Sequence, residues 1–195
     1  MSVAAGSAAA CPSVDVLVVA VPVGLESRAE ELLADLPTPF SLIEGGASRQ
    51  SSVRAALAAV DPDVDVVAVH DAARPFAPPQ LFESVIRAVA SGADAAIPVI
   101  PVPDTVKRVR DGVILATEPR DELGLAQTPQ AFRTDVLRDG HARAAADGRE
   151  FSDDAAMIEW MGVEVRALPG DPANFKITTI MDLVRAEARM RGDDG

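Results

Sequence analysis

Asp71 and Arg74 flank a pair of alanines directly after an apolar run that ends at His70, with Pro75 closing the segment. A carboxylate there can accept hydrogen bonds from sugar hydroxyls or help hold a metal ion that is itself bound to phosphates. The small neighbours Ala72 and Ala73 leave room for a ligand to approach the backbone. Alone, the pair reads more simply as a turn cap and a solvated charge. The setting favours chemistry, because α/β enzymes bind ligands in the loops beyond the carboxyl ends of buried strands.

Gly45 and Gly46 lead through Ala47 and Ser48 into Arg49, Gln50, Ser51 and Ser52. Helix-start N–H groups beside a guanidinium suit an anion or a polar ring edge, whereas the plainer alternative is an ordinary serine cap. The spacing is not that of a Walker loop, so a P-loop NTPase is not supported. Lys107 and Lys176 are the only lysines. Lys176 stands just before a helix that Thr178 or Thr179 could cap, where a surface role is the bland reading. Arg120 and Thr128 lie either side of residues 122–127 and could offer a guanidinium and a hydroxyl to a phosphate.

Ser152, Asp153 and Asp154 precede an apolar helical run and read first as an amino-terminal cap. His141, among alanines and arginines, reads as a surface residue. His70 is expected to orient the turn rather than bind metal, because no second histidine or cysteine accompanies it. No protein metal ligands are assigned. Cys11 is the single cysteine and cannot form an internal disulfide. No nucleophile-elbow pattern supports a hydrolase.

The elements that must position these residues follow from periodicity. Val14 to Val21, Val64 to His70, Ala95 to Val102 and Val163 to Leu168 read as short buried strands. Leu25 to Leu36, Ser51 to Val60, Gln80 to Ala90, Asp135 to Ala146, Asp153 to Met161 and Ile180 to Met190 read as helices. Such alternation predicts an α/β fold with a mostly parallel, doubly wound sheet. Val106 to Val109 and Val113 to Thr117 flank Arg110, Asp111 and Gly112, a strong hairpin signal. This predicts an arm over about residues 105–132 that cannot bury both faces alone and so meets a partner.

The 195 residues are expected to form one domain, with Gly192 to Gly195 a frayed tail. A net charge of -12 argues against a nucleic-acid binder. No apolar run is long enough to span a bilayer, and Met1 to Pro12 lacks the basic start of a signal peptide, so no membrane partner and a cytoplasmic location are expected.

Taken in order, EGGASRQSSVRAAL, VAVHDAARPF, IPVPDTVKRV, LAQTPQAF, FSDDAAMIEWMG and LPGDPANFKITTIMDL resemble the 2-C-methyl-D-erythritol 4-phosphate cytidylyltransferases, over about Val14 to Arg191. The resemblance implies a Rossmann-like nucleotidyltransferase fold, a homodimer whose arms reach into each other's sites, and Mg²⁺ held by nucleotide phosphates. It implies that Gly45, Gly46, Arg49 and Ser52 bind CTP, with Ser52 near the cytosine. Asp71 and Ala72 would touch ribose and substrate. Thr105, Arg120, Thr128 and Lys176 would surround the methylerythritol phosphate, bordered by Arg74 and Ser152, with Arg120 and Thr128 coming from the partner. Arg120, Lys176 and Asp71 would carry the reaction.

The sequence departs from that family pattern at its start, where a central first strand, a glycine-rich loop bearing an arginine, and a Pro-Lys pair are expected. Val3 to Ser7 offers only a scrap of such a loop, and no Arg or Lys precedes Arg28. A start placed too far downstream, a shortened chain and a degenerate gene copy are the alternatives, and the Ala-rich, Lys-poor composition favours the first. The competing functional readings are a non-catalytic binding or dimerisation module and a nucleotidyltransferase for another polyol phosphate.

Overall fold

The computed structural model describes residues 2–192. In chain order its elements are α1 (Ser2–Ala9), β1 (Leu17–Val21), α2 (Glu26–Leu33), β2 (Phe40–Glu44), α3 (Arg49–Ala58), β3 (Val66–Val69), α4 (Pro79–Ala90) and β4 (Ala95–Pro101). The hairpin β5 (Lys107–Arg110) and β6 (Val113–Thr117) follows, then a 3₁₀ turn (Arg120–Glu122), β7 (Gly124–Ala126) and β8 (Gln130–Arg133). The chain closes with α5 (Thr134–Ala146), α6 (Asp154–Trp160), β9 (Val165–Pro169) and α7 (Ile180–Arg191).

Side-chain alternation on the strands separates two helical layers. Val67 and Val69 of β3, Ala95 of β4 and Phe132 of β8 face the core formed with α3, α5 and α6. Their neighbours Val66, Ala68, Ala96 and Ala131 face Val85 and Val89 of α4. One residue along each strand thus exchanges one layer for the other, which is the period-two geometry of a sheet covered on both sides. The α/β class expected from the sequence is the observed one.

The sheet is more mixed than a mostly parallel one. β8 runs antiparallel between β3 and β4, β7 pairs antiparallel with the outer part of β4, and β9 pairs parallel on the other side of β4. β8 belongs to the stretch expected to be arm, yet Gln130, Ala131 and Phe132 are buried at the sheet's centre. β2, which the sequence did not signal, pairs parallel with β1 in a separate two-stranded sheet. The unforeseen strands β2, β7 and β8 are short, and each pairs with a strand well separated from it in sequence.

The hairpin has the turn its residues require. Asp111 at φ 49° and Gly112 at φ 77° occupy successive left-handed positions, as a two-residue turn between twisted strands demands. Both β5 and β6 are exposed along their length. The Val3 to Ser7 stretch is helical, within α1, with Ala4 and Ala8 buried. Gly192 closes α7 in a left-handed cap, and the rest of the expected tail lies outside the described residues.

Candidate functional site

Asp71 follows β3 directly, and two cations from distant segments converge on it. Arg49, the first residue of α3, donates Nε–H to Oδ1 at 2.9 Å, and Lys176 donates Nζ–H to Oδ2 at 2.7 Å. Burial pushes the Asp71 carboxyl up, but the hydrogen bonds and charges of Lys176 and Arg49 outweigh it and hold the carboxyl below its usual range. Asp71 is therefore an ionised acceptor, not an acid that gives up a proton.

The turn behind it is held by a hydrogen-bond relay. Arg74 N–H closes the turn onto the Asp71 carbonyl at 2.9 Å. The Asp71 N–H donates to Thr128 Oγ1 at 3.0 Å, and that hydroxyl lies 3.1 Å from His70 Nδ1. His70 Nε2 lies 3.0 Å from the Arg74 carbonyl, which can only accept. The network therefore assigns the imidazole proton to Nε2 and leaves Nδ1 to accept from Thr128. Burial pushes the His70 imidazole below its ordinary value, consistent with a neutral ring.

His70 thus orients the turn, as its position suggested. Thr128 does not act as expected from a partner's arm: it is buried against this chain's own His70 and Asp71. Arg74 likewise differs from an open ligand contact. Its guanidinium donates to the carbonyls of Asn174 (2.8 Å) and Ala126 (3.2 Å), tying three loops together under the Asp71 turn.

Arg49 is fixed from a second side, by a residue that no sequence pattern connects with it. Its Nη1 donates to Asp154 Oδ2 at 2.8 Å, and the other Asp154 oxygen lies 3.2 Å from His141 Nε2. Asp154 and His141 are both 2% exposed, so His141 is a core residue and not a surface one. The reason is local: α5 turns this face toward α6, and a buried imidazole there needs the carboxylate as its partner. Burial disfavours the Arg49 cation, but Asp154 and Asp71 more than compensate and raise its pKa. Asp153, not Asp154, is the cap of α6, accepting from the Ala156 N–H.

The glycine pair shapes the mouth of the site. Gly45 N–H donates to the carbonyl of Val21 at 2.8 Å, and Ser48 caps α3 in a reciprocal box with Ser51. A Cβ on Gly46 would lie 2.6 Å from Ser51 Cβ, so only glycine lets the loop close there. Ser52 Oγ accepts from the Gly46 N–H at 3.0 Å and bonds the Ser48 carbonyl at 2.9 Å. Arg49 and Ser52 line, with Asp71 and Ala72, one end of a cavity of about 790 Å³.

Thr105 and Ser152 are exposed, and Arg120 extends from the arm with Nη1 on the Pro103 carbonyl at 3.1 Å. Among the described residues, none of these three hydrogen-bonds to Asp71, Arg49 or Lys176.

The family described as IspD: 2-C-methyl-D-erythritol 4-phosphate cytidylyltransferase matches residues 1–192. The chain belongs to this family. Among relatives, the bifunctional enzyme IspD/IspF of Nitrobacter hamburgensis is 54% identical over 149 residues, covering 75% of this chain and 37% of that protein. The 2-C-methyl-D-erythritol 4-phosphate cytidylyltransferase of Frankia casuarinae is 49% identical over 173 residues, covering 88% of this chain and 63% of that one. The chain thus spans little more than a third of the bifunctional IspD relative.

Two solved structures carry the same fold. The 4-diphosphocytidyl-2C-methyl-D-erythritol synthase of Anaerococcus prevotii superposes with a TM-score of 0.91 at 26% identity, covering 97% of this chain and 85% of that one. The cytidylyltransferase of Thermus thermophilus gives 0.77 at 40% identity, covering 89% and 81%. The IspD fold is thereby the fold of this chain.

Proposed function

We propose that this chain acts as a single nucleotidyltransferase domain that joins CTP and 2-C-methyl-D-erythritol 4-phosphate, giving the CDP-alcohol and pyrophosphate in cytoplasmic isoprenoid biosynthesis. The observation that carries the reading is the convergence of Arg49 and Lys176 on Asp71, in a chain of the IspD family. In a protein of net charge -12, Arg49 and Lys176 are cations gathered at one end of the cavity, where a phosphate can compete with Asp71 for them.

In this reading Gly45, Gly46, Arg49 and Ser52 take the nucleotide, with Ser52 beside the cytosine. Asp71 and Ala72 contact ribose and substrate, and Lys176, Arg120, Thr105 and Thr128 surround the polyol phosphate. Ser152 borders it, and Arg74 serves by holding the loops. Lys176 and Arg120 align a substrate phosphate oxygen with the α-phosphorus of CTP. A bond forms between them, the α–β bridging P–O bond breaks, and its electron pair leaves on pyrophosphate. Positioning and charge stabilisation suffice, without a protein nucleophile.

Mg²⁺ fits this pocket as an ion carried by the nucleotide phosphates, since Asp71 already holds a cation on each oxygen and Asp154 is taken by Arg49 and His141. Among the described residues no three acidic, His or Cys side chains gather into a metal site. When bound, the ion neutralises charge on the phosphates.

Exposed apolar faces support a homodimer: Ile114 on β6 is 62% exposed and Ile180 on α7 is 81% exposed. Arg120 then serves the neighbour's site, whereas Thr128 serves its own.

Pyrophosphate release from CTP tests this reading: release is expected only with methylerythritol phosphate present, and release that does not depend on it would overturn the assignment. Arg120→Ala is expected to raise KM for the polyol phosphate at least tenfold and spare CTP affinity. Equal loss of both would remove its assigned role.

A further inference from the structure

Ala186 is the one buried side chain of α7, while Ile180, Met181, Leu183, Val184 and Met190 are exposed. A helix with so little apolar burial needs another means of attachment. Arg185 and Arg189, four positions apart, share one face of it. The Arg185 guanidinium carbon lies 4.1 Å from the centre of the Phe175 ring, and that of Arg189 lies 5.3 Å from the centre of the Phe76 ring. The two rings are 5.5 Å apart and tilted by 39°. Two cations from α7 thus meet two rings that touch each other, drawn by the negative ring faces.

Those rings belong to the two segments that form the site. Phe76 follows the Asp71 turn, and Phe175 immediately precedes Lys176. Arg74 donates to the Asn174 carbonyl at 2.8 Å, and the Ile177 N–H donates to the Ala73 carbonyl at 2.8 Å, so the same two segments are also tied on either side of the stack. Between these anchors Phe175 turns to Phe76 and Lys176 turns to Asp71. Beyond them, the N–H and hydroxyl groups of Thr178 and Thr179 all donate to Asp182 and fix the start of α7. Among the described residues the Lys176 ammonium is hydrogen-bonded to Asp71 alone. A phosphate that competes for the ammonium removes that hold, and its reach then depends on how the backbone of residues 174–177 is anchored.

We propose that Phe175, held by Phe76 and Arg185, is a positioning residue that sets where the Lys176 ammonium can reach. Its part in the reaction rests on the reading of Lys176 as a contact of the polyol phosphate. A leucine in its place fills part of the space but offers no ring face to Arg185, so the segment carrying Lys176 loses its tie to α7.

Lys107 and Lys176 are the only lysines, which makes the ammonium directly measurable. Competitive acetylation of the full chain, read by peptide mass, gives the reactivity of Lys176 relative to Lys107 on the exposed hairpin. Phe175→Leu is expected to raise that ratio about threefold, because an ammonium less firmly held on Asp71 is more open to the reagent. The same change should raise KM for methylerythritol phosphate about tenfold and leave kcat and CTP affinity within about twofold. Arg185→Gln, an exposed change, should act in the same direction and less strongly. Phe175→Tyr, which keeps the ring, should restore the parent values.

An unchanged Lys176 ratio or an unchanged KM in Phe175→Leu would overturn the clamp. Equal rises in KM for CTP and for the polyol phosphate, or a loss that Phe175→Tyr does not restore, would show a merely structural ring and overturn it as well. A parent chain without methylerythritol phosphate-dependent pyrophosphate release would instead fail the reading of the site. A raised Lys176 ratio in Phe175→Leu would then still support the clamp, and an unchanged one would overturn both.

Discussion

Lys176 Nζ and Asp71 Oδ2 are 105 positions apart in the chain and meet at 2.7 Å, while Arg49 holds the other carboxylate oxygen. This ion triplet joins the loop after β3, the start of α3 and the segment before α7 into one surface. Asp71→Asn keeps the shape and removes the charge. Nucleotide affinity and cytidylyl transfer are expected to fall about 10- to 100-fold, since a hydrogen bond to a charged group is worth about 1.5–3 kcal/mol. Calorimetric titration of CTP into Asp71→Asn, Lys176→Ala and the double variant measures the coupling; strict additivity would show that the pair does not act together.

Asp154 holds both Arg49 and His141 from beneath. Asp154→Ala removes the acceptor of the buried His141 and one of the two carboxylates on the partly exposed Arg49, which keeps Asp71, and is expected to cost about 1–3 kcal/mol of stability. Asp154→Asn, which keeps one acceptor oxygen, should cost less. Urea unfolding gives both values, and a loss below about 1 kcal/mol for the alanine variant would mean that the site does not depend on this support.

Acid should destabilise the protein in two stages. Burial lowers the folded pKa of His70, so below the unfolded value of about 6.5 the unfolded chain binds the extra proton and stability falls with pH. Asp71 has a depressed folded pKa, so its contribution is present above about 4 and is lost as pH falls through the folded value. His70→Gln should flatten urea midpoints between pH 7.5 and 5 and leave the lower stage. An unchanged slope in that window would dissociate His70 from it.

The start of α3 rests on the Ser48 and Ser51 box. Ser48→Ala is expected to cost about 1 kcal/mol, the usual loss for a cap. Gly46→Ala should also be destabilising, because its Cβ would press on Ser51. A Tm for either variant equal to the parent's would show that the loop has another way to close.

Ile114 on the hairpin and Ile180 on α7 are exposed at 62% and 81%. If these faces meet a second copy, Ile114→Glu should shift sedimentation from dimer to monomer without changing the helical circular dichroism signal. A parent chain that sediments as a monomer at every concentration would remove the arm's assigned partner.

Local patterns in the sequence were enough for α2 to α7, β1, β3, β4, β9 and the hairpin, because each carries its own periodicity or turn chemistry, whereas α1 falls where only a scrap of loop was expected. The Asp-Gly turn between β5 and β6 is the clearest instance, since both residues tolerate left-handed backbone. The loop from His70 to Pro75 and the glycine-serine segment were singled out by their residue types and position, and the fold brings them together through Arg49 and Asp71.

Long-range partners were decided only by tertiary structure. β8 has four residues and no periodic signal, and its place between β3 and β4 depends on pairing with both. His141 looked like a surface residue because its sequence neighbours are small or charged; it is buried because α5 packs that face on α6. The bond from Thr128 to Asp71 and the bridge of Arg49 to Asp154 span 57 and 105 positions. Sequence composition and period determined which residues could do chemistry; chain folding alone determined which of them share a carboxylate, because contact across such separations is set by packing and not by local preference.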